Sequence, residues 1–143
     1  MVFIGFGLIF IIQAILFYKA GIHDKKMEFS WQNNLEAYTG AILILYALIV
    51  YPLLGMYFGH TYPENPTFGL PCPTTIFTFG ILLWAKEKLP LYIIIIPVIW
   101  AFLGISAAMQ LGIKEDLGLL ISGLISAILL IKVNVKARKI KTA

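Results

Sequence analysis

Most of the reactive side chains in this chain of 143 residues are crowded into one stretch. Between Gly55 and Thr78 lie His60, Tyr62, Glu64 and Cys72, the single cysteine, together with Pro63, Pro66, Pro71 and Pro73, four of the seven prolines. Imidazole, thiolate and carboxylate make a donor set suited to zinc or copper, so His60, Glu64 and Cys72 are the candidate metal ligands. Glu115 and Asp116 bring two further carboxylates, and with Tyr62 they widen the set to one that a small polar solute could contact. No Cys-x-x-Cys or His-x-x-x-His pair accompanies them.

Each of these residues also has a plain structural explanation. A cysteine between two prolines can fill a tight turn, since cysteines outside disulfides are among the most buried residue types. His60, following Gly59, can finish a helix by donating to one of its last carbonyls. Glu115 and Asp116 suit the beginning of a helix, where acids complement the dipole and Asp caps.

The rest of the chain sets the depth at which this stretch must work. Hydrophobic residues make up 60% of it, charged residues only 13%, and the mean hydropathy is +0.90. That is more apolar surface than a 16 kDa globule can hide from water. Lipid is therefore the expected solvent. The net charge of +4 does not point to nucleic acid, because the basic residues fall in short gaps between apolar runs rather than on one patch. A single cysteine excludes an intramolecular disulfide. Residues 2–18 lack the charged start and small-residue cleavage site of a secretory signal.

Five segments are expected to be helical spans: residues 2–18, 35–58, 74–85, 89–111 and 117–133. Pro52 and Pro97 interrupt two of them. Pro52 should kink its helix near Leu48, whose carbonyl loses its N–H partner. Glu36 reads as a helix-start residue and Trp31 as a side chain for the headgroup zone. The third segment, at about 1.5 Å per residue, is too short for a hydrocarbon core of about 30 Å. The irregular run 68–73 before it should therefore dip inward under the cover of the other helices. Helix should resume at Pro73, with Thr74 and Thr75 able to cap. A proline-locked apolar loop at that depth is costly to build without a use, which favours a role for Cys72.

With five spans and the N-terminus outside, residues 19–34, 85–89 and the C-terminal tail including Lys132 face the cytoplasm. They hold three, two and five basic residues, against Lys114 alone on the other side. That asymmetry is the one expected of short loops in a cell-membrane protein. It also puts residues 59–73 and 112–116 on one extracytoplasmic side, where His60, Glu64, Cys72, Glu115 and Asp116 can converge. His23 falls on the opposite side and cannot join His60 as a haem ligand.

Small residues recur every four positions at Gly55 and Gly59, at Gly104, Ala108 and Gly112, and at Gly118, Ser122 and Ser126. Such stripes let helices approach closely, within the chain, in a homo-oligomer or in a larger membrane complex. No nucleophile elbow, phosphate loop or mid-span acidic pair is present.

The runs Tyr51-Pro52-Leu53-Leu54-Gly55, Gly59-His60, Tyr62-Pro63, Pro66, Phe68-Gly69 and Pro71-Cys72-Pro73-Thr74-Thr75-Ile76-Phe77-Thr78, with Glu115-Asp116-Leu117-Gly118, resemble a family of prokaryotic multi-pass membrane proteins. That family is recorded as a domain of unknown function. The resemblance covers nearly the whole chain, with Pro-Cys-Pro-Thr-Thr its specific part. It implies an all-helical membrane fold and no particular activity or ligand. Members look longer, with helices upstream of residues 2–18, so this chain reads as shortened at its start.

The expectation is an all-α integral membrane bundle of five helices in the bilayer, binding or transporting a metal ion or small polar solute. An accessory subunit of a membrane complex is the alternative from another class. An intramembrane enzyme with Cys72 as nucleophile and His60 as base is the third, and it lacks an orienting residue.

Overall fold

The computed structural model describes residues 2–25, 27–60, 69–86, 88–111 and 117–142. Five helices account for the architecture. Helix α1 is Val2–Tyr18 and runs on through a wide π turn at Lys19–His23. Helices α2 and α3 are Leu35–Tyr57 and Pro71–Leu82. Helices α4 and α5 are Leu91–Leu111 and Leu117–Thr142. The described residues hold no β-strand, and Phe29 and Ala85 form an isolated antiparallel bridge. Among the described residues, two stretches, Leu35–Tyr57 and Leu117–Val135, are long and apolar enough to cross a membrane.

Helix α2 shows how local chemistry sets the ends. Asn34 precedes it in extended conformation, and its side-chain oxygen accepts the Ala37 N–H at 2.8 Å. That is an N-cap, with Glu36 in the first turn as expected. The fault at Pro52 takes the form of a π turn over Tyr46–Val50, in which the Tyr51 N–H donates to the Tyr46 carbonyl. Proline has no N–H for the Leu48 carbonyl and its ring crowds that oxygen. Widening the turn before it relieves both problems. The helix closes on Gly59, whose φ of 93° is open to glycine at little cost. The Gly59 N–H donates to the Met56 carbonyl and the His60 N–H to Gly55, the paired bonds of a Schellman ending. Gly59 therefore terminates the helix and does not extend the small-residue stripe from Gly55.

Helix α3 begins earlier than the sequence suggests. Leu70 is its extended N-cap residue, and Pro71, Cys72 and Pro73 form its first turn. First-turn N–H groups have no intrahelical acceptor, so prolines lose nothing there. The expected irregular dip therefore does not include Pro71–Pro73, and residues 61–68 lie outside the described residues. The end falls at Leu82, three residues before the expected one. Helix α5 runs beyond the expected limit at residue 133, since lysine and arginine are good helix formers and suit a C-terminal end.

Short α3 is the centre of the bundle. It packs against α2, α4 and α5, and α1 lies against α4. Ile76, Phe79 and Leu82 of α3 are fully buried. At its crossing with α2, a Cβ built on Gly40 would lie 2.6 Å from the Gly80 carbonyl oxygen, so the two backbones touch. On the far side Gly104 packs against Leu119 and Gly123 against Ala101. Of the expected stripes, Gly118 faces the Tyr46 ring, while Ser122 and Ser126 are buried inside the bundle.

One end of the bundle is laced together. Across the Phe29–Ala85 bridge, Ser30 N–H donates to the Trp84 carbonyl and Lys86 N–H to Glu28, and the Lys86 and Glu28 side chains pair at 3.2 Å. Trp31 sits edge-on to Tyr38 and Trp84. Asn134 of α5 grips Leu89 by both its N–H and its carbonyl, at 3.1 and 3.2 Å. The connections 19–34 and 83–90 and the late part of α5 thus share one end.

Candidate functional site

Two of the residues singled out by the sequence are described. His60 is half-buried, fixed through its backbone at the end of α2. Cys72 is half-buried in the first turn of α3, with its side chain packed against the apolar core. Tyr62, Glu64, Glu115 and Asp116 lie outside the described residues, and so does the proposed His60, Glu64 and Cys72 trio as a set. Among the described residues, no group of three or more His, Cys, Asp or Glu side chains gathers that could hold a metal ion.

A polar constellation forms elsewhere, out of residues that the sequence presents only as interruptions. Pro97 lies inside α4 and leaves the Ile93 carbonyl, four residues earlier, without its helical donor. Gln13 of α1 supplies the missing bond: its Nε2 donates to the Ile93 oxygen at 3.1 Å. A glutamine in an otherwise apolar stretch of α1 thus mends the fault in α4. Only 7% of Gln13 is exposed, and its Oε1 has no hydrogen-bond partner among the described residues.

Gln13 lines a cleft of about 230 Å3 between α1, α3 and α4. Phe10 and Phe17 of α1 and Trp100 of α4 supply its aromatic wall, with Phe10 edge-on to Trp100 at 5.2 Å. Across from Gln13, α3 presents Thr74, Thr75 and Thr78. Thr75 donates its hydroxyl proton to the Pro71 carbonyl at 2.7 Å and Thr78 donates to Thr74 at 2.8 Å. The Thr74 hydroxyl oxygen accepts the Gly69 N–H at 3.3 Å, where φ is 107°. The predicted cap at Thr74 is therefore a bond reaching back before the helix, and Thr75 bonds backward along it. None of the described residues lining the cleft is charged.

Residues 2–141 match a family of unknown function, DUF6064. The chain belongs to that family. No curated protein and no solved structure matches it. In this member of the family, the Pro-Cys-Pro-Thr-Thr block does two jobs: its prolines open α3 and its threonines line the cleft. Sequence reading missed the partner wall because Gln13 and Ile93 are eighty residues apart. The available signal was a glutamine in one apolar run and a proline in another.

Proposed function

We propose that the chain is an integral membrane protein of five helical spans, set in the cell membrane with its N-terminus outside and its C-terminus in the cytoplasm. It binds or transports a small solute at the cleft between α1, α3 and α4. The observation that carries this reading is an inversion of polarity. Ile4, Ile15, Ile42, Leu53, Leu91 and Ile128 point outward and are more than half exposed, while Gln13, Thr75, Ser122 and Ser126 are buried. A helix apolar around its outward face needs either a larger core or lipid to cover it. Lipid also explains why α3, the shortest helix, is the one sheathed by the others. A mainly apolar cleft walled by helices and edged by a few polar side chains is where membrane proteins place solute sites.

The test is topological. In a Cys72→Ser background, cysteines introduced at Glu64 and at Lys139 report the two sides. An impermeant thiol reagent should label the first in intact cells and the second only after lysis, with the protein staying in membranes through alkaline extraction. Release into the supernatant would end the membrane reading, and a reversed labelling order would end the orientation.

A further inference from the structure

Where the chain enters α4, an open groove of about 470 Å3 lies between residues 88–92 and one turn of α5, residues 131–135. Granting that the chain lies in the membrane with its C-terminus in the cytoplasm, we infer that this groove holds an anionic phospholipid of the cytoplasmic leaflet. One acyl chain lies against Leu91, Ile131 and Val135, with the phosphate at Lys88. The acyl part follows from the walls. Leu91, Ile131 and Val135 are at least half exposed, and the floor has little polarity to offer, because Asn134 and the Leu89 backbone satisfy each other. The volume falls within the range of about 300–1,000 Å3 usual for small-molecule sites. A partner helix is the wrong shape for it. The α5 wall is about 6 Å long at 1.5 Å per residue, whereas helix-in-groove docking uses anchors spread over two turns.

The sign of the headgroup follows from the balance of charge. Segments 83–92 and 131–142 carry seven basic residues and one acid, Glu87. Lys86 is paired with Glu28, whereas Lys88, at the rim of the groove, and Lys132, next to Ile131, are exposed and pair with no carboxylate among the described residues. A lysine beside lipid buries its stem and keeps its ammonium at headgroup level, and the anionic cytoplasmic leaflet attracts such charges. The depth agrees. The Phe29–Ala85 bridge and the edge-on pair Trp31 and Trp84 lie at this same end, and Tyr92 lines the groove itself. Tryptophan and tyrosine are the side chains of the headgroup zone.

The test measures lipid retained by the purified full chain in native mass spectrometry, with phosphatidylglycerol and phosphatidylcholine of identical acyl chains as probes. The wild type should hold one phosphatidylglycerol roughly fivefold more tightly than phosphatidylcholine, the ratio expected of one lysine at an anionic surface. Lys88→Gln should erase that preference. Lys19→Gln, which removes the same charge from the π turn after α1, should leave it unchanged, and Val135→Trp, which fills the groove, should weaken both lipids. Equal binding of the two lipids to the wild type overturns the site, and this ratio decides the matter without any variant. Equal losses in K88Q and K19Q also overturn it, because the preference would then belong to diffuse surface charge. Glycerol phosphate should not compete, and displacement by it would remove the acyl chain from the site. A lipid-free dimer that V135W dissociates would give the groove to a second copy of the chain instead. The membrane reading fails separately: release by alkaline extraction ends it and the lipid site together, whereas a chain that stays in extracted membranes but shows no lipid preference loses the lipid site alone.

Discussion

Helix α3 has two flanks built on opposite rules. Toward α2 it is bare: Gly80 meets Gly40 backbone to backbone, and a Cβ on Gly80 would lie 2.8 Å from the Gly40 oxygen. Toward α1 it carries the hydroxyls of Thr74, Thr75 and Thr78, beside a cleft that Gln13 of α1 and Pro97 of α4 also line. The first flank gains from contact and excludes everything, whereas the second leaves room. In a bundle whose outer surface is already apolar, greasy side chains distinguish neither flank. Close approach on one side and hydrogen-bonding capacity on the other do so.

The largest effect should follow from forcing the bare flank apart. Gly40→Val would drive its side chain into the Gly80 carbonyl and the Trp84 ring, 2.6 and 2.9 Å from the Cβ position. The expected cost is about 3 kcal/mol or more, seen as a large fall in melting temperature or loss of folded yield. Gly5→Ala in α1, with nothing within 4 Å, should leave the melting temperature unchanged or slightly raised. Equal behaviour of the two variants would show that the α2–α3 contact is not close.

Next in size is Q13M on the open flank, which strips the donor from the Ile93 carbonyl. A loss of about 1–3 kcal/mol is expected. Pro97→Ala restores an N–H four residues after Ile93, so Q13M should cost less in that background. A double-mutant cycle measures the coupling, and strict additivity would sever Gln13 from Pro97.

Asn134→Leu should cost about 1–2 kcal/mol by removing both bonds to Leu89. The smallest change is expected for Glu28→Ala. Its partner Lys86 is partly exposed and Glu28 mostly so, and surface pairs contribute about 0–1 kcal/mol. Lowering the salt concentration should enlarge that difference, and a salt-independent loss would assign it to the backbone bridge instead.

What could be read from the sequence follows from the range of each signal. Apolar runs end where charge begins, so the ends of α1, α2 and α4 lie within a few residues of where the sequence puts them, and Glu36 sits in a first turn as expected. Asn34 directly before the first apolar residue of α2 was an overlooked cap signal. The tolerance of a first turn for proline points to Pro73 as a start, and the same tolerance carries the start back to Pro71, which the sequence leaves in the irregular run. The cleft was illegible for a different reason. Gln13 and Pro97 each look like local defects, and only the packing of α1 on α4 turns two defects into one bond. Likewise Gly40 and Gly80 stand outside any repeating stripe, yet they make the closest approach between α2 and α3.

The wide turn in α2 has a consequence for that helix's arithmetic. Its inward residues are Ala37, Gly40 and Leu43, then Ala47, Tyr51 and Gly55, so the interval lengthens from three to four as the chain enters the turn. A wide turn takes up one residue more than a regular turn, so the helix beyond it faces as it would in a regular helix one residue shorter. Replacing Pro52 and deleting one residue from Tyr46–Val50 would therefore leave Tyr51 and Gly55 facing inward, whereas regularising the helix without the deletion would turn both by about 100° relative to the residues before the turn.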